Sequence, residues 1–139
     1  MAISKYELEE LLEELGKIKG KHTELVTVYA PAGLNLNVVA KQIESEKGTA
    51  SNIKSKTTRK NVVDALESIS RQLKLFKVAP ENGLAVFCGN ISEKEGQPDL
   101  KLWAVEPPMI LKTRLYRCDQ EFVLDALKEM LEVEEVILG

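Results

Sequence analysis

The apolar positions change period along this chain, and each change marks an element. Residues 4–18 carry Leu8, Leu11, Leu12 and Leu15 on one stripe at helical spacing. Ser4 and Glu7 stand three apart at the start, where a hydroxyl can accept from a first-turn amide while the carboxylate reaches back. A helix is predicted there, weakened at Gly16 and followed by a turn at 20–22. Leu25-Val26-Thr27-Val28-Tyr29-Ala30 is β-branched and aromatic and stops at Pro31, which predicts a strand with Thr23 and Glu24 at its entrance. Asn35 or Asn37 can cap a next helix that carries Val38, Val39 and Ile43 and is expected to end near Gly48, with that glycine in left-handed geometry. Val62, Leu66, Ile69, Leu73 and Phe76 then recur at spacings of 4, 3, 4 and 3 and predict a helix over 56–77 with Ser55 as its cap.

Between those two helices lies Gly48-Thr49-Ala50-Ser51-Asn52-Ile53-Lys54-Ser55, small, polar and cationic, with little in it to build a core. Facing apolar stripes predict a helical hairpin with this stretch as its tip, lifted clear of the core and presented to a partner. Further on, Pro80-Glu81-Asn82-Gly83 reads as a turn and Leu84-Ala85-Val86-Phe87-Cys88 as a buried strand. A polar loop over 92–98 leads to an alternating strand at 100–105, which Pro107-Pro108 breaks. Leu115-Tyr116-Arg117-Cys118 reads as a short strand. Asp119 can cap a last helix with Phe122, Val123, Ala126, Leu127 and Met130 inward. The sum is an α+β fold: about four mostly antiparallel strands with helices packed on the sheet, and a protruding helical hairpin. Parallel pairing stays open where helices separate strands.

Length and composition narrow the class. A chain of 139 residues with 44% hydrophobic and 29% charged residues suits one globular domain. Residues 1–132 are expected to form it, with 133–139 starting a linker or strand toward a further domain. The sequence carries no apolar run long enough to span a membrane and no apolar leader at its N-terminus. Cys88 and Cys118 stand at no metal-ligand spacing and suit a reducing, cytoplasmic setting. Neither a phosphate-binding glycine loop nor HExxH is present, and the one histidine, His22, has no nucleophile partner evident in sequence. No enzyme and no cofactor are expected.

Charge changes the picture more. The net charge is -3, yet residues 52–77 hold seven bases against two acids, a local +5 that leaves -8 on the remainder. A basic stripe on an acidic body suits docking onto phosphates at one place. Lys56, Arg59 and Lys60 could hold a nucleic-acid backbone without reading sequence. Within the loop, an ammonium can only donate, so Lys54 near O4 of uracil would accept that base and reject cytosine, whereas Asn52 can donate and accept at once. Two other readings of these residues stay open: an RNA-binding module that makes no choice of base sequence, and a protein-interaction scaffold built on the hairpin.

The same residues carry a resemblance. Gly48-Thr49-Ala50-Ser51-Asn52-Ile53-Lys54-Ser55 is similar to the TASNIKS loop of the archaeal and eukaryotic class 1 peptide chain release factors, and Tyr116, Cys118 and Phe122 follow that family's YxCxxxF pattern. Arg71-Gln72-Leu73-Lys74-Leu75-Phe76 and Asn82-Gly83-Leu84-Ala85-Val86-Phe87-Cys88-Gly89 also resemble it, in the right order. The resemblance covers nearly the whole chain and corresponds to the family's N-terminal domain. It implies recognition of the three messenger RNA stop codons in the ribosomal decoding site, against small-subunit RNA, during translation termination.

It also implies residue roles. Asn52, Ile53, Lys54 and Ser55 would face the first uridine, with Thr49 and Ser51 in the same loop. Glu46 matches a glutamate implicated in codon reading, and Thr23, Tyr116, Cys118 and Phe122 fall on codon-binding positions, Cys118 and Phe122 being equally well placed as core. The family's Gly-Thr-Ser triplet falls on His22-Thr23-Glu24, so only Thr23 matches, and later codon positions are expected to be contacted differently. The Gly-Gly-Gln tripeptide that promotes peptide release is absent from the chain. Release and binding of a partner GTPase are therefore expected of other domains, and this one is expected to act as a monomer that recognises without catalysing.

Overall fold

The computed structural model describes residues 1–94 and 96–133. The elements run α1 (Lys5–Gly16), β1 (Leu25–Ala30), α2 (Leu36–Ala50), α3 (Lys56–Leu73), β2 (Leu84–Asn90), β3 (Leu100–Val105), β4 (Leu115–Asp119) and α4 (Asp125–Glu132). The strands form one antiparallel sheet in the order β3-β2-β1-β4. No helix among the described residues is long and apolar enough to cross a membrane.

Helices cover both faces, and β1 is buried along its whole length. Alternation along the strands sorts their side chains into two cores. Val26, Val28, Ala30, Val86 and Cys88 pack with α2 and α3. Leu25, Tyr29, Ala85 and Phe87 pack with α1 and α4. Tyr29, Phe87, Phe122 and Trp103 meet edge to face in sequence through that second core, an arrangement aromatic quadrupoles favour.

The predicted capping box is present: Glu7 N–H donates to Ser4 Oγ and Ser4 N–H to Glu7 Oε1, each at 3.1 Å. Asn35, not Asn37, caps α2, where Val39 and Ile43 are buried and Val38 is left 44% exposed. Four expectations need correction. Gly48 does not end α2. The helix runs to Ala50, whose burial against the core holds the last turn in place, and only Gly33, Gly83 and Gly96 have positive φ among the described residues. The connection is thus only 51–55, and it is not lifted clear, because Ile53 packs against the core.

α3 stops at Leu73 rather than 77. Leu75 and Phe76 N–H groups donate three residues back, tightening the end, and the following chain is taken up elsewhere. Lys77 O accepts from Leu36 N–H, and Ala79 N–H donates to Leu34 O. Finally, Asp119 does not cap the last helix, which begins at Asp125 behind Leu124. The backbone at Val123 is occupied by β1: its N–H donates to Thr27 Oγ1 at 3.0 Å and its carbonyl accepts from the Tyr29 hydroxyl. A segment so tied crosses the sheet before it can coil. The expected linker lies outside the described residues from position 134 onward.

Candidate nucleic-acid interface

Backbone bonds fold the 51–55 connection onto the end of α2. Ser51, Asn52 and Ile53 N–H groups donate to the carbonyls of Lys47, Thr49 and Ala50. Ser51 Oγ donates to Gly48 O at 2.6 Å and Thr49 Oγ1 to Ser45 O at 3.4 Å, so both hydroxyls have partners in the helix. Ser55 Oγ accepts from Thr58 N–H at 3.3 Å and caps α3. Ser51, Asn52, Lys54 and Ser55 are all exposed, and of these the side chains of Asn52 and Lys54 make no hydrogen bond or ion pair among the described residues.

The three bases beyond the loop are not alike. Lys56 is exposed with no ion pair among the described residues. Arg59 Nη1 donates to Ile53 O at 3.3 Å and so braces the loop from within. Lys60 pairs with Asp64 at 2.8 Å, and that carboxylate raises its pKa.

A second polar group lies at the rim of the sheet. Register sets Cys118 opposite Val26 and Tyr116 opposite Val28, and alternation turns both toward the core that α2 and α3 cover. The Cys118 thiol donates to Thr23 O at 3.0 Å, which fixes the backbone beneath the exposed Thr23 side chain. Burial first, then the charges of Asp119, Glu24 and Glu46, push that thiol up to about 11. Burial, the neighbouring Cys118 and the Glu46 carboxylate likewise raise the Tyr116 hydroxyl. Glu46 on α2 therefore stands close enough to act on both β4 side chains. Thr23, Glu46, Tyr116 and Cys118 come together on the α2/α3 side of the sheet, the side against which Ile53 of the loop also packs.

Phe122 is not among them. It is 5% exposed in the opposite core, against Phe87 and Trp103. Its spacing from Tyr116 continues beyond the strand end, where alternation no longer applies. Two residues that no sequence pattern pairs are joined here: Asn61 Nδ2 donates to Glu24 Oε2 at 3.0 Å, both groups buried. Asn61 does show in sequence as a polar residue on the helical stripe of Val62, Ala65 and Ile69. Two clefts, one lined by Lys19, Arg117 and Lys128 and the other by Ile110, Leu111 and Met130, contain no residue of the loop.

The loop and the rim offer donors, one acceptor-donor amide, carboxylates and a half-buried aromatic hydroxyl, which is a set for reading base edges, with cations for phosphates. The eRF1 domain 1 family model matches residues 3–132. Peptide chain release factor subunit 1 of Pyrococcus abyssi is 57% identical over 130 residues, which is 94% of this chain and 31% of that protein. The protein of the same name from Methanocaldococcus jannaschii is 44% identical over 128 residues, 91% of this chain and 30% of its own. The solved structure of an archaeal translation termination factor, aRF1, superimposes with a TM-score of 0.85 at 35% identity, covering 94% of this chain and 35% of that one. This chain spans about a third of the length of the relatives it matches. With a family match over almost its whole length, the chain belongs to the eRF1 domain 1 family.

Proposed function

We propose that this chain is the stop-codon-reading domain of a translation termination factor, acting in the cytoplasm at the decoding site of the small ribosomal subunit. The observation that carries the reading is the loop: the N–H groups of Ser51, Asn52 and Ile53 and the hydroxyls of Ser51 and Ser55 have partners in the adjoining helices, and the side chains of Asn52 and Lys54 are left exposed without one among the described residues, beside Lys56. Lys54 supplies donors for the O4 of a first-position uracil, Asn52 supplies a donor and an acceptor, and Lys56 takes backbone phosphate. Thr23, Glu46, Tyr116 and Cys118 meet the later bases at the rim. Ser51, Thr49 and Ser55 shape the loop through their bonds to the helices, and Ile53 anchors it. Arg59 and Lys60, each with a protein partner already, contribute less to phosphate binding than Lys56. Peptide release and engagement of a GTPase belong to other domains of the full-length factor.

The test is peptide release by an archaeal relative whose first domain is replaced with this chain. Ribosomes carry UAA, UAG, UGA or the sense codon UGG. Release on the three stops alone, reduced by Lys54→Ala, supports codon reading by the loop. Equal release on UGG, or indifference to Lys54→Ala, would move the reader elsewhere. Binding that followed salt and RNA length without codon preference would favour a general RNA-binding module.

A further inference from the structure

The end of the α2–α3 hairpin remote from the loop carries a surface that codon reading does not use. α3 is 18 residues long, so its far end lies about 27 Å along the axis from the Ser55 cap. There the chain leaving α3 runs back past the start of α2. Leu36 N–H donates to Lys77 O at 3.4 Å and Ala79 N–H to Leu34 O at 3.0 Å, an antiparallel bridge centred on Asn35 and Val78. In such a bridge the bonds belong to the flanking residues, and the two central residues direct their own N–H and carbonyl groups outward. The Asn35 carbonyl is taken by Val38 N–H at 3.1 Å as α2 begins. Neither the N–H nor the carbonyl of Val78 has a hydrogen-bond partner among the described residues. Val78 thus offers a donor and an acceptor side by side, the unit by which an extended chain adds to a strand edge.

The side chains round this bridge are apolar and cationic. Leu75 is 74% exposed, Val78 54% and Val38 44%, each on the bridge or within three residues of it. Lys41, Lys74 and Lys77 are exposed beside them, and none enters an ion pair among the described residues. The Glu44 carboxyl, lowered first by Lys47, then by Ser70 and last by Lys74, is already held by Lys47 at 3.2 Å and Ser70 at 3.0 Å. The Lys74 ammonium is therefore left for another acid.

These features choose among occupants. Branched aliphatic side chains give a base no ring to stack on, which disfavours RNA. Lysines at an edge oppose pairing with the same edge of a second copy. An open donor and acceptor, flanked by apolar side chains and unpaired ammonium groups, fit an extended acidic segment with a branched apolar residue opposite Val78. We propose that this edge is a docking surface for such a segment of a protein partner, held by strand addition at Val78 and by ion pairs to Lys74 and Lys77. The contact is separate from the loop and independent of codon reading.

The experiment measures binding of a fluorescein-labelled peptide, Glu-Glu-Val-Glu-Ile-Glu-Glu, to the full-length chimaera by fluorescence anisotropy. Saturable binding is expected by about 1 mM peptide. Methylating the backbone nitrogens of its valine and isoleucine removes the donors for the Val78 carbonyl and is expected to weaken binding about fivefold or more. Lys74→Glu with Lys77→Glu is expected to melt near wild type and to weaken the parent peptide about tenfold or more. The peptide Lys-Lys-Val-Lys-Ile-Lys-Lys is expected to bind that variant more tightly than it binds wild type, a selectivity that a misfolded variant would not acquire.

The proposal is overturned if the methylated peptide binds as tightly as its parent, if the charge reversal leaves binding unchanged, or if no saturation is reached by about 1 mM. Displacement of the peptide by less hexauridylate than unlabelled peptide would make the surface an RNA phosphate site and overturn it too. So would sedimentation showing the wild-type chimaera associating with itself through a contact that the charge reversal abolishes.

Discussion

Arg59 reaches back from the first turns of α3 to the carbonyl of Ile53, its Nη1 donating at 3.3 Å across six residues. A guanidinium half-buried in this way is a brace before it is a phosphate ligand. Arg59→Ala should therefore leave the fold intact, costing about 1 kcal/mol of stability. Amide hydrogen exchange at 53–55 should quicken, and codon-dependent release should fall. Arg59→Lys keeps charge but loses the fork and should behave like alanine in exchange. Recovery of both exchange and release by Arg59→Lys would show that charge alone suffices.

Gly48 gives a prediction of opposite sign. It lies inside α2 in exposed surroundings, with nothing within 4 Å of where a Cβ would stand. Gly48→Ala should stabilise the protein by about 0.5–1 kcal/mol, because alanine loses less backbone entropy in a helix. Thermal or urea unfolding checks this. A loss of stability would mean that the glycine does adopt a left-handed conformation.

Phe122 separates core from codon. It fills the α1/α4 side of the sheet among Phe87, Trp103 and Leu127. Phe122→Ala should cost about 3–5 kcal/mol by leaving a cavity. At a temperature where the variant remains folded, its ratio of stop to UGG release should match wild type. A changed ratio in folded protein would return Phe122 to the reading surface.

Cys118 predicts a pH dependence. Burial and neighbouring carboxylates raise its thiol from the ordinary value near 9 to about 11 in the folded chain. The unfolded chain loses that proton first, so it binds fewer protons than the native state between those values, and stability falls as pH rises through that window. Burial raises Cys88 from 9.0 to about 12 and acts in the same direction as pH rises between those values. Alkylation of Cys118 by iodoacetamide, followed by mass spectrometry in folded protein, should lag well behind that of a free thiol at about pH 9, where an unperturbed cysteine is largely thiolate. Equal rates would show that the thiol is not buried in solution.

How much of this was legible in the sequence follows from the range of the interactions. Ser4 with Glu7, Asn35 and Ser55 cap helices through contacts two or three residues away, and all three can be read from local pattern. The strands could be read from runs such as 25–30, because a strand covered on both faces is apolar at nearly every position. Helix ends were less legible, because distant groups decide them. Ala50 keeps α2 going by packing into the core, and Thr27 and Tyr29 delay α4 by holding Val123 from 96 and 94 residues away. The loop of the candidate site could be read because it is contiguous. The Glu24–Asn61 bond joins positions 37 apart, and nothing local in either residue announces it.

On the codon reading proposed above, α3 would also act as a ruler. Its cap at Ser55 and its amide at Asn61 lie six residues apart along one axis, about 9 Å at the helical rise. Three stacked bases span about 7 Å at roughly 3.4 Å per step. A flexible linker between loop and rim would let that length drift, whereas a helix makes it an integer. Adding one residue between Ser55 and Asn61 would lengthen the gauge by about 1.5 Å and swing Asn61 about 100° away from Glu24. Lys54, Thr23 and Tyr116 could all be present and the measure would still be wrong, so the count of residues in this stretch is as much a part of the chain's information as their identities.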